Sequence, residues 1–238
     1  MKTVLITGGS RGIGRATSLL FLEKGYKVLF IYRNAKKEAE ELSALGAYGY
    51  QADLALEQEC ARVATAILQD HGRVDVLINN AGMAHFSLFT DLNTEDWKRV
   101  RGVNLEAPMY LTRALLPELI REKKGRILNI SSMWGQVGAS CEVAYSTAKA
   151  GLIGFTKALA KEVGPSGITV NCICPGLIDT DMNGTLDAST LQQIVEETPL
   201  SRMGRPEAVA SLCLFLASEE ASFITGQIVG ANGGLVIT

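Results

Sequence analysis

Two side chains four positions apart, Tyr145 and Lys149, carry the clearest chemical signal in this sequence. They lie in the stretch Ala144-Tyr145-Ser146-Thr147-Ala148-Lys149. On a helix that spacing stacks both on one face. A phenol beside an ammonium is a proton-donor arrangement. The positive charge favours phenolate and is expected to pull the tyrosine pKa below its ordinary value of about 10. Such a phenol can protonate a carbonyl oxygen, or deprotonate an alcohol, while a hydride moves at carbon. Surface helices often carry both residues, so the pair takes its meaning from the elements that hold it.

The first of those elements is a short apolar run over Lys2–Thr7, ending in Thr7-Gly8-Gly9-Ser10-Arg11-Gly12-Ile13-Gly14 and followed by a helical pattern with Ala16, Leu19, Leu20 and Phe21 on its apolar face. Strand, glycine-rich turn and helix form the setting of a dinucleotide phosphate site. Gly8 permits the tight turn, Gly12 lets backbone approach a pyrophosphate, and Gly14 allows close helix–strand packing. A second strand covers Lys27–Tyr32. Where NAD-binding folds carry an acid for the ribose 2′-hydroxyl, this chain has Tyr32 and Arg33. Arg33 suits a 2′-phosphate, with Arg11 closing from the glycine loop, so the expected cofactor is NADP(H).

Further along, Tyr48–Ala52 reads as a strand ending at Asp53-Leu54. Asp53 could meet an adenine amino group or cap the helix at about Glu57–His71. Val74–Ile78 is followed by Asn79-Asn80-Ala81-Gly82. These small residues allow close passage of a cofactor, and the asparagines could tie neighbouring strands together. Thr94 is a candidate cap for the next helix. Asn104 falls inside a helical run, which marks a kink or a water-binding position, and Pro108 disturbs the same region. Arg126–Ile130 leads to Ser131-Ser132 and a loop of small residues before the Tyr145 helix. Ile168–Cys174 closes with Pro175-Gly176, and a last strand covers Gln227–Ala231. The segment Thr180–Pro199 has weak helical patterning and lid character, an insertion at about 180–200. The alternation predicts one α/β domain over residues 1–238: a Rossmann-type, doubly wound parallel sheet of seven strands with helices on both faces.

The charge of −2 offers no electrostatic reason to expect nucleic acid or an acidic membrane as partner. The first seven residues run straight into a strand pattern and do not read as a signal peptide. No apolar run is long enough to span a bilayer. The five cysteines form no Cys-x-x-Cys pair and fit a reducing cytoplasm. Cys172 and Cys174 share a strand face without histidine partners, so core cysteines are expected and no metal site.

Taken together, Thr7-Gly8-x-x-x-Gly12-x-Gly14, Asp53-Leu54, Asn79-Asn80-Ala81-Gly82, Asn104, Ser132, Tyr145-x-x-x-Lys149 and Pro175-Gly176 resemble the short-chain dehydrogenase/reductase family across essentially the whole chain. The resemblance implies strand order 3-2-1-4-5-6-7 and a homotetramer or homodimer. Leu152 and Phe155 are compatible with such an interface or with core packing. It implies Tyr145 as general acid, Lys149 as its pKa modulator and ribose contact, Ser132 on the substrate carbonyl, and Asn104 holding a water in a proton relay. Cofactor contacts would be Gly8, Ser10, Arg11, Gly12, Ile13 and Gly14 at the phosphates. Arg33, Asp53, Leu54, Asn80, Ala81, Gly82, Tyr145, Lys149, Pro175, Gly176, Ile178 and Thr180 would be further contacts, with Lys149 on the nicotinamide ribose.

Within the family the chain is similar to 3-oxoacyl-[acyl-carrier-protein] reductases, which implies a ketone substrate on acyl carrier protein. The loop Trp134–Val143 departs from the usual run and is similar to elongation factor P 5-aminopentanone reductases, which act on a modified lysine of that factor. Glu142 could pair with the cationic amine of such a substrate; it could equally be a solvated carboxylate at a helix start. Trp134 and Met182 are candidate pocket walls. A reading from another class is a non-catalytic, cofactor-sensing protein on the same fold.

Overall fold

In a computed structural model that describes residues 1–184 and 187–237, Thr3–Thr7 (β1) forms a strand in which every residue is buried. The elements then follow as Gly12–Glu23 (α1), Lys27–Tyr32 (β2), Lys36–Ala44 (α2), Tyr48–Gln51 (β3), Glu57–His71 (α3), Val76–Asn79 (β4), Thr94–Arg101 (α4), Ala107–Glu122 (α5) and Gly125–Ile130 (β5). The rest are Trp134–Val137 (α6), Val143–Val163 (α7), Ile168–Pro175 (β6), Ala188–Glu197 (α8), Pro206–Ala217 (α9) and Ile228–Ala231 (β7). All seven strands pair in parallel in the order β3-β2-β1-β4-β5-β6-β7, as the family resemblance implied.

Strands β1, β4, β5 and β6 are buried at every position. That is why they read as continuous apolar runs: a parallel sheet is covered on both faces. Within β1, Leu5 packs with Val63 and Ile67 of α3, Leu111 and Leu115 of α5, and Leu159 of α7. Its neighbours Val4 and Ile6 face the opposite layer, with Phe21 of α1, Leu42 of α2, and Val209 and Cys213 of α9. The two-residue period of the strand thus splits its side chains between two cores.

Buried polar groups tie the layers together. Asn79 donates to Asn129 Oδ1 (2.9 Å), Asn129 donates to Thr156 Oγ1 (2.9 Å), and Thr156 donates to the Leu152 carbonyl (2.9 Å). The chain runs from β4 through β5 into α7 and anchors the helix that carries Tyr145 and Lys149. Leu152 is fully buried, and Phe155, partly buried, packs against the core.

Several local expectations are corrected. Asn93, not Thr94, caps α4: its Oδ1 accepts from the Asp96 N–H at 2.9 Å. Asn starts a helix well because its short amide reaches N3, and the residue after the cap is already helical. Asp53 does not cap α3, whose N-cap is Leu56. The small-residue loop after Ser132 contains the short helix α6, whereas the weak helical patterning of the 180–200 segment is met by α8, begun by Asp187 accepting from the Thr190 N–H at 2.8 Å. Positions 185 and 186 of that segment lie outside the described residues.

Candidate active site at the carboxyl ends of the strands

The glycine turn leaves β1 through Gly8 at φ +65°. Gly14 has no room for a side chain: a Cβ there would stand 2.1 Å from the Gly8 carbonyl oxygen and 2.6 Å from Asn80 Nδ2. Helix α1 therefore begins directly against the turn, as the spacing predicts. The turn is also tied to the segment after β4. Thr7 Oγ1 accepts from the N–H groups of Asn80 (2.9 Å) and Ala81 (2.8 Å), and Asn80 Nδ2 donates to the Thr7 carbonyl (2.9 Å). The crevice between β1 and β4 is the point where the strand order reverses, where open α/β sheets bind nucleotides. Thr180 closes on it from the far end of the chain, since a Cβ on Gly12 would lie 3.2 Å from Thr180 Cγ2. A bare-backbone cradle at a helix start fits a pyrophosphate.

Beside the crevice, a cavity of about 550 Å³ is lined by Arg33, Asn34, Gln51, Ala52, Asp53, Glu59 and Arg99. Asp53 accepts from the Ala55 N–H (3.2 Å) and from Arg99 Nη2 (3.0 Å). Burial opposes its charge, but these bonds and the two guanidiniums outweigh it and hold the carboxyl below its ordinary value. Arg11, expected to close over the same group as Arg33, is exposed and outside this lining. It sits in extended backbone at the start of α1 and serves as that helix's N-cap position.

On the other side of the crevice lie the residues of the proton-donor arrangement. Ser132 follows β5 and lies near enough to Tyr145 to lower the phenol's pKa, though by less than burial raises it. Ser132 Oγ also accepts from the Trp134 N–H at 3.2 Å, which fixes the hydroxyl. Lys149 Nζ donates to the Ile130 carbonyl at 2.8 Å and sits 5.7 Å from the centre of the Tyr145 ring. The expected direction of the tyrosine shift is reversed. Burial pushes the Tyr145 phenol up to about 12 and brings the Lys149 ammonium down to about 8. Each charged form is penalised by the apolar surroundings, which outweighs the lowering by Ser132 at the phenol and the raising by Cys172 and Cys174 at the ammonium. Near neutral pH the phenol therefore holds its proton, ready to give it.

Asn104 occupies a π-helical turn, Gly102–Glu106, inserted between α4 and α5. The sequence marked this position for a kink or for water binding, and the helix is interrupted here by the π turn. The fully buried side chain spans to the Met83 backbone, accepting from its N–H (3.2 Å) and donating to its carbonyl (2.9 Å), with a further bond to the Val100 carbonyl (3.0 Å). Asn104 and Lys149 converge on Gly82, where a Cβ would meet Asn104 Oδ1 at 3.0 Å and Lys149 Nζ at 3.3 Å. Of the candidate pocket walls, Trp134 packs in a cluster with Tyr145, Val100, Ala144, Met83, Leu92 and Trp97. Met182 is exposed. Glu142 is half-buried, and among the described residues its carboxylate has no hydrogen-bond or ionic partner. Burial raises its pKa.

Three supporting residues escaped the sequence reading. Gly135 lets α6 lie on α7, since a Cβ there would stand 2.8 Å from the Lys149 carbonyl carbon and from Ser131 Oγ. Ser131 donates to the Lys149 carbonyl at 2.9 Å. Arg99 sits beside Asp53. The first two stood next to residues already singled out, but nothing in the sequence distinguished Arg99 from an ordinary helix-surface charge. The cysteines at 172 and 174 are free and buried, as core residues would be, and among the described residues no group of metal-ligating side chains is present.

A family model described as enoyl-(acyl carrier protein) reductase matches residues 8–236. The chain is 41% identical, over 98% of its length and 97% of the relative's, to a 3-oxoacyl-[acyl-carrier-protein] reductase of Aquifex aeolicus. It is 40% identical to an acetoacetyl-CoA reductase of Shinella zoogloeoides and 40% identical to an uncharacterized oxidoreductase, YmfI, of Bacillus subtilis, each over 98% of both chains.

Proposed function

The chain belongs to the short-chain dehydrogenase/reductase family of oxidoreductases acting on CH–OH and C=O groups, and on that premise we propose that it reduces the ketone of a 3-oxoacyl thioester with NADPH. The observation that carries this reading is the placement of Lys149 Nζ, 5.7 Å from the centre of the Tyr145 ring and donating at 2.8 Å to the Ile130 carbonyl, at the strand end that leads to Ser132. The names of the relatives, reductases of 3-oxoacyl and acetoacetyl thioesters, support the substrate class. Acyl carrier protein is the carrier this reading implies.

When bound, the nicotinamide supplies the hydride. The residues of the chain manage the oxygen. Ser132 and Tyr145 both donate to the substrate carbonyl oxygen, polarising it. As negative charge develops there, Tyr145 gives up its proton and the alcohol forms. Lys149 faces the phenolate left behind and stabilises it; its charge also suits a ribose hydroxyl. Asn104 holds the Met83 segment and Gly82 close to Lys149, placing the resupply of protons at this end of the crevice. The glycine turn takes the pyrophosphate, and Arg33 takes the 2′-phosphate.

The test is oxidation of NADPH in the presence of an acetoacetyl thioester. Tyr145→Phe is expected to abolish turnover while NADPH binding persists, and retained turnover would refute the assignment. Consumption of a crotonyl thioester alone would instead point to the C=C chemistry named in the family model's description.

A second reading is favoured by one observation: the unpartnered, half-buried Glu142, which precedes Tyr145 on the same helix start. A ketone bearing an ammonium, such as a modified lysine of elongation factor P, would pair with that carboxylate. Glu142→Gln should then reduce turnover of an aminoketone and spare the acetoacetyl thioester. Equal effects on both would remove this reading.

A further inference from the structure

The cavity at Arg33 contains as many acids as bases, which is a poor design for receiving a phosphate unless the acids are occupied. Its lining carries Arg33 and Arg99 against Asp53 and Glu59. Both carboxylates are in fact engaged. Asp53 is held by Arg99 Nη2 at 3.0 Å. Glu59 accepts from Arg62 Nε (2.9 Å) and Nη2 (2.7 Å), with Arg62 itself outside the lining. The same Arg62 donates to the Gln51 carbonyl (2.9 Å), and Gln51 Nε2 donates to the Arg33 carbonyl (2.8 Å), so the Arg33 backbone is fixed by this network. Among the described residues, no carboxylate lies within ion-pair distance of the Arg33 guanidinium. Asp53 is nevertheless near enough to feel its charge. Were Arg99 absent, Asp53 would be the nearest counter-ion for Arg33, and an anion arriving at Arg33 would have to displace or oppose it.

We propose that Arg99 is a cofactor-specificity residue acting through Asp53: by holding that carboxylate it leaves the Arg33 guanidinium free for the phosphate on the cofactor's adenosine ribose. This rests on the NADPH reading above and extends it to a residue on α4, far in sequence from the glycine turn and from β2. Arg99 is a positioning residue here. It discriminates between cofactors by what it removes from Arg33, and the Arg62–Glu59 pair does the same for the second acid.

The experiment needs no turnover. Isothermal titration of the protein with 2′,5′-ADP and with 5′-AMP reads the contribution of the 2′-phosphate directly. Arg99→Gln should weaken 2′,5′-ADP roughly tenfold, about 1.4 kcal/mol, while 5′-AMP changes by less than about twofold. Arg99→Gln combined with Asp53→Asn should recover 2′,5′-ADP binding, because the released acid is no longer charged. Equal losses for both probes would make Arg99 a mere platform for adenine and overturn the inference, as would unchanged 2′,5′-ADP binding. Failure of the cofactor reading itself looks different: the unsubstituted protein would then bind both probes alike, and Arg33→Ala would change neither.

Discussion

At the scale of single residues, the decisive feature is that burial, not a neighbouring charge, sets the protonation of Tyr145 and Lys149, the proposed catalytic pair. Tyr145 and Lys149 were legible from their spacing, yet the direction of the tyrosine shift was not, because spacing says nothing about desolvation. The consequence is measurable. The phenol, raised to about 12, stays protonated throughout the usual range, and the ammonium, lowered to about 8, is the group that titrates first. kcat/KM for NADPH in ketone reduction, which reports groups of the unliganded protein, should be level near neutrality and fall as pH rises through about 8. A basic limb near the ordinary phenol value of about 10 would contradict this.

At the scale of elements, two junctions hold the site together, and each predicts a cost. The first is the contact of α1 with the glycine turn. Gly14→Ala forces a methyl group into the Gly8 carbonyl. It should destabilise the fold by about 1–3 kcal/mol in thermal or urea denaturation. It should also cost roughly 100-fold in kcat/KM by shifting the crevice. The second is the π turn at Asn104. Asn104→Ala would leave part-buried Met83 backbone groups unpaired, a loss of about 1–2 kcal/mol in urea denaturation. The glycine pattern announced the first junction, because only glycine tolerates such approach. A lone mid-helix asparagine indicated a disturbance in the second, but not its partner at Met83, 21 residues away. Helix ends were the least legible. Asn93 and Thr94 are both good capping types, and only the backbone geometry chooses between them.

At the scale of the whole molecule, the far end of the sheet is closed by one carboxylate. Glu219, just beyond α9, meets Lys2 before β1 (3.0 Å), Lys124 before β5 (2.8 Å) and the buried Arg126 at the start of β5 (3.4 Å). Hydrogen bonds from the two lysines hold its carboxyl down at about 2. A folded-state pKa below the unfolded value means stabilisation that is full above the ordinary carboxylate range and lost as pH falls toward about 2. Glu219→Gln should therefore lower Tm at pH 7, with the gap narrowing as pH falls below about 4 and closing near 2. The effect will be modest, because the carboxylate is largely solvent-exposed.

The sequence by itself determined the parallel sheet and the glycine turn against α1, and singled out Ser132, Tyr145 and Lys149 as candidates, which the fold brings to the same end of the sheet. Strand–glycine–helix order, continuous apolar runs and helical spacing are local patterns with few physical alternatives. Tertiary structure alone decided which way the pKa values of Tyr145 and Lys149 move, that Glu142 lacks a partner among the described residues, that Arg11 stays outside the lining of the Arg33 cavity, and that Arg99 reaches Asp53 across 46 residues. Those outcomes depend on desolvation and on contacts between segments remote in the chain, and neither is encoded in the spacing of residues along it.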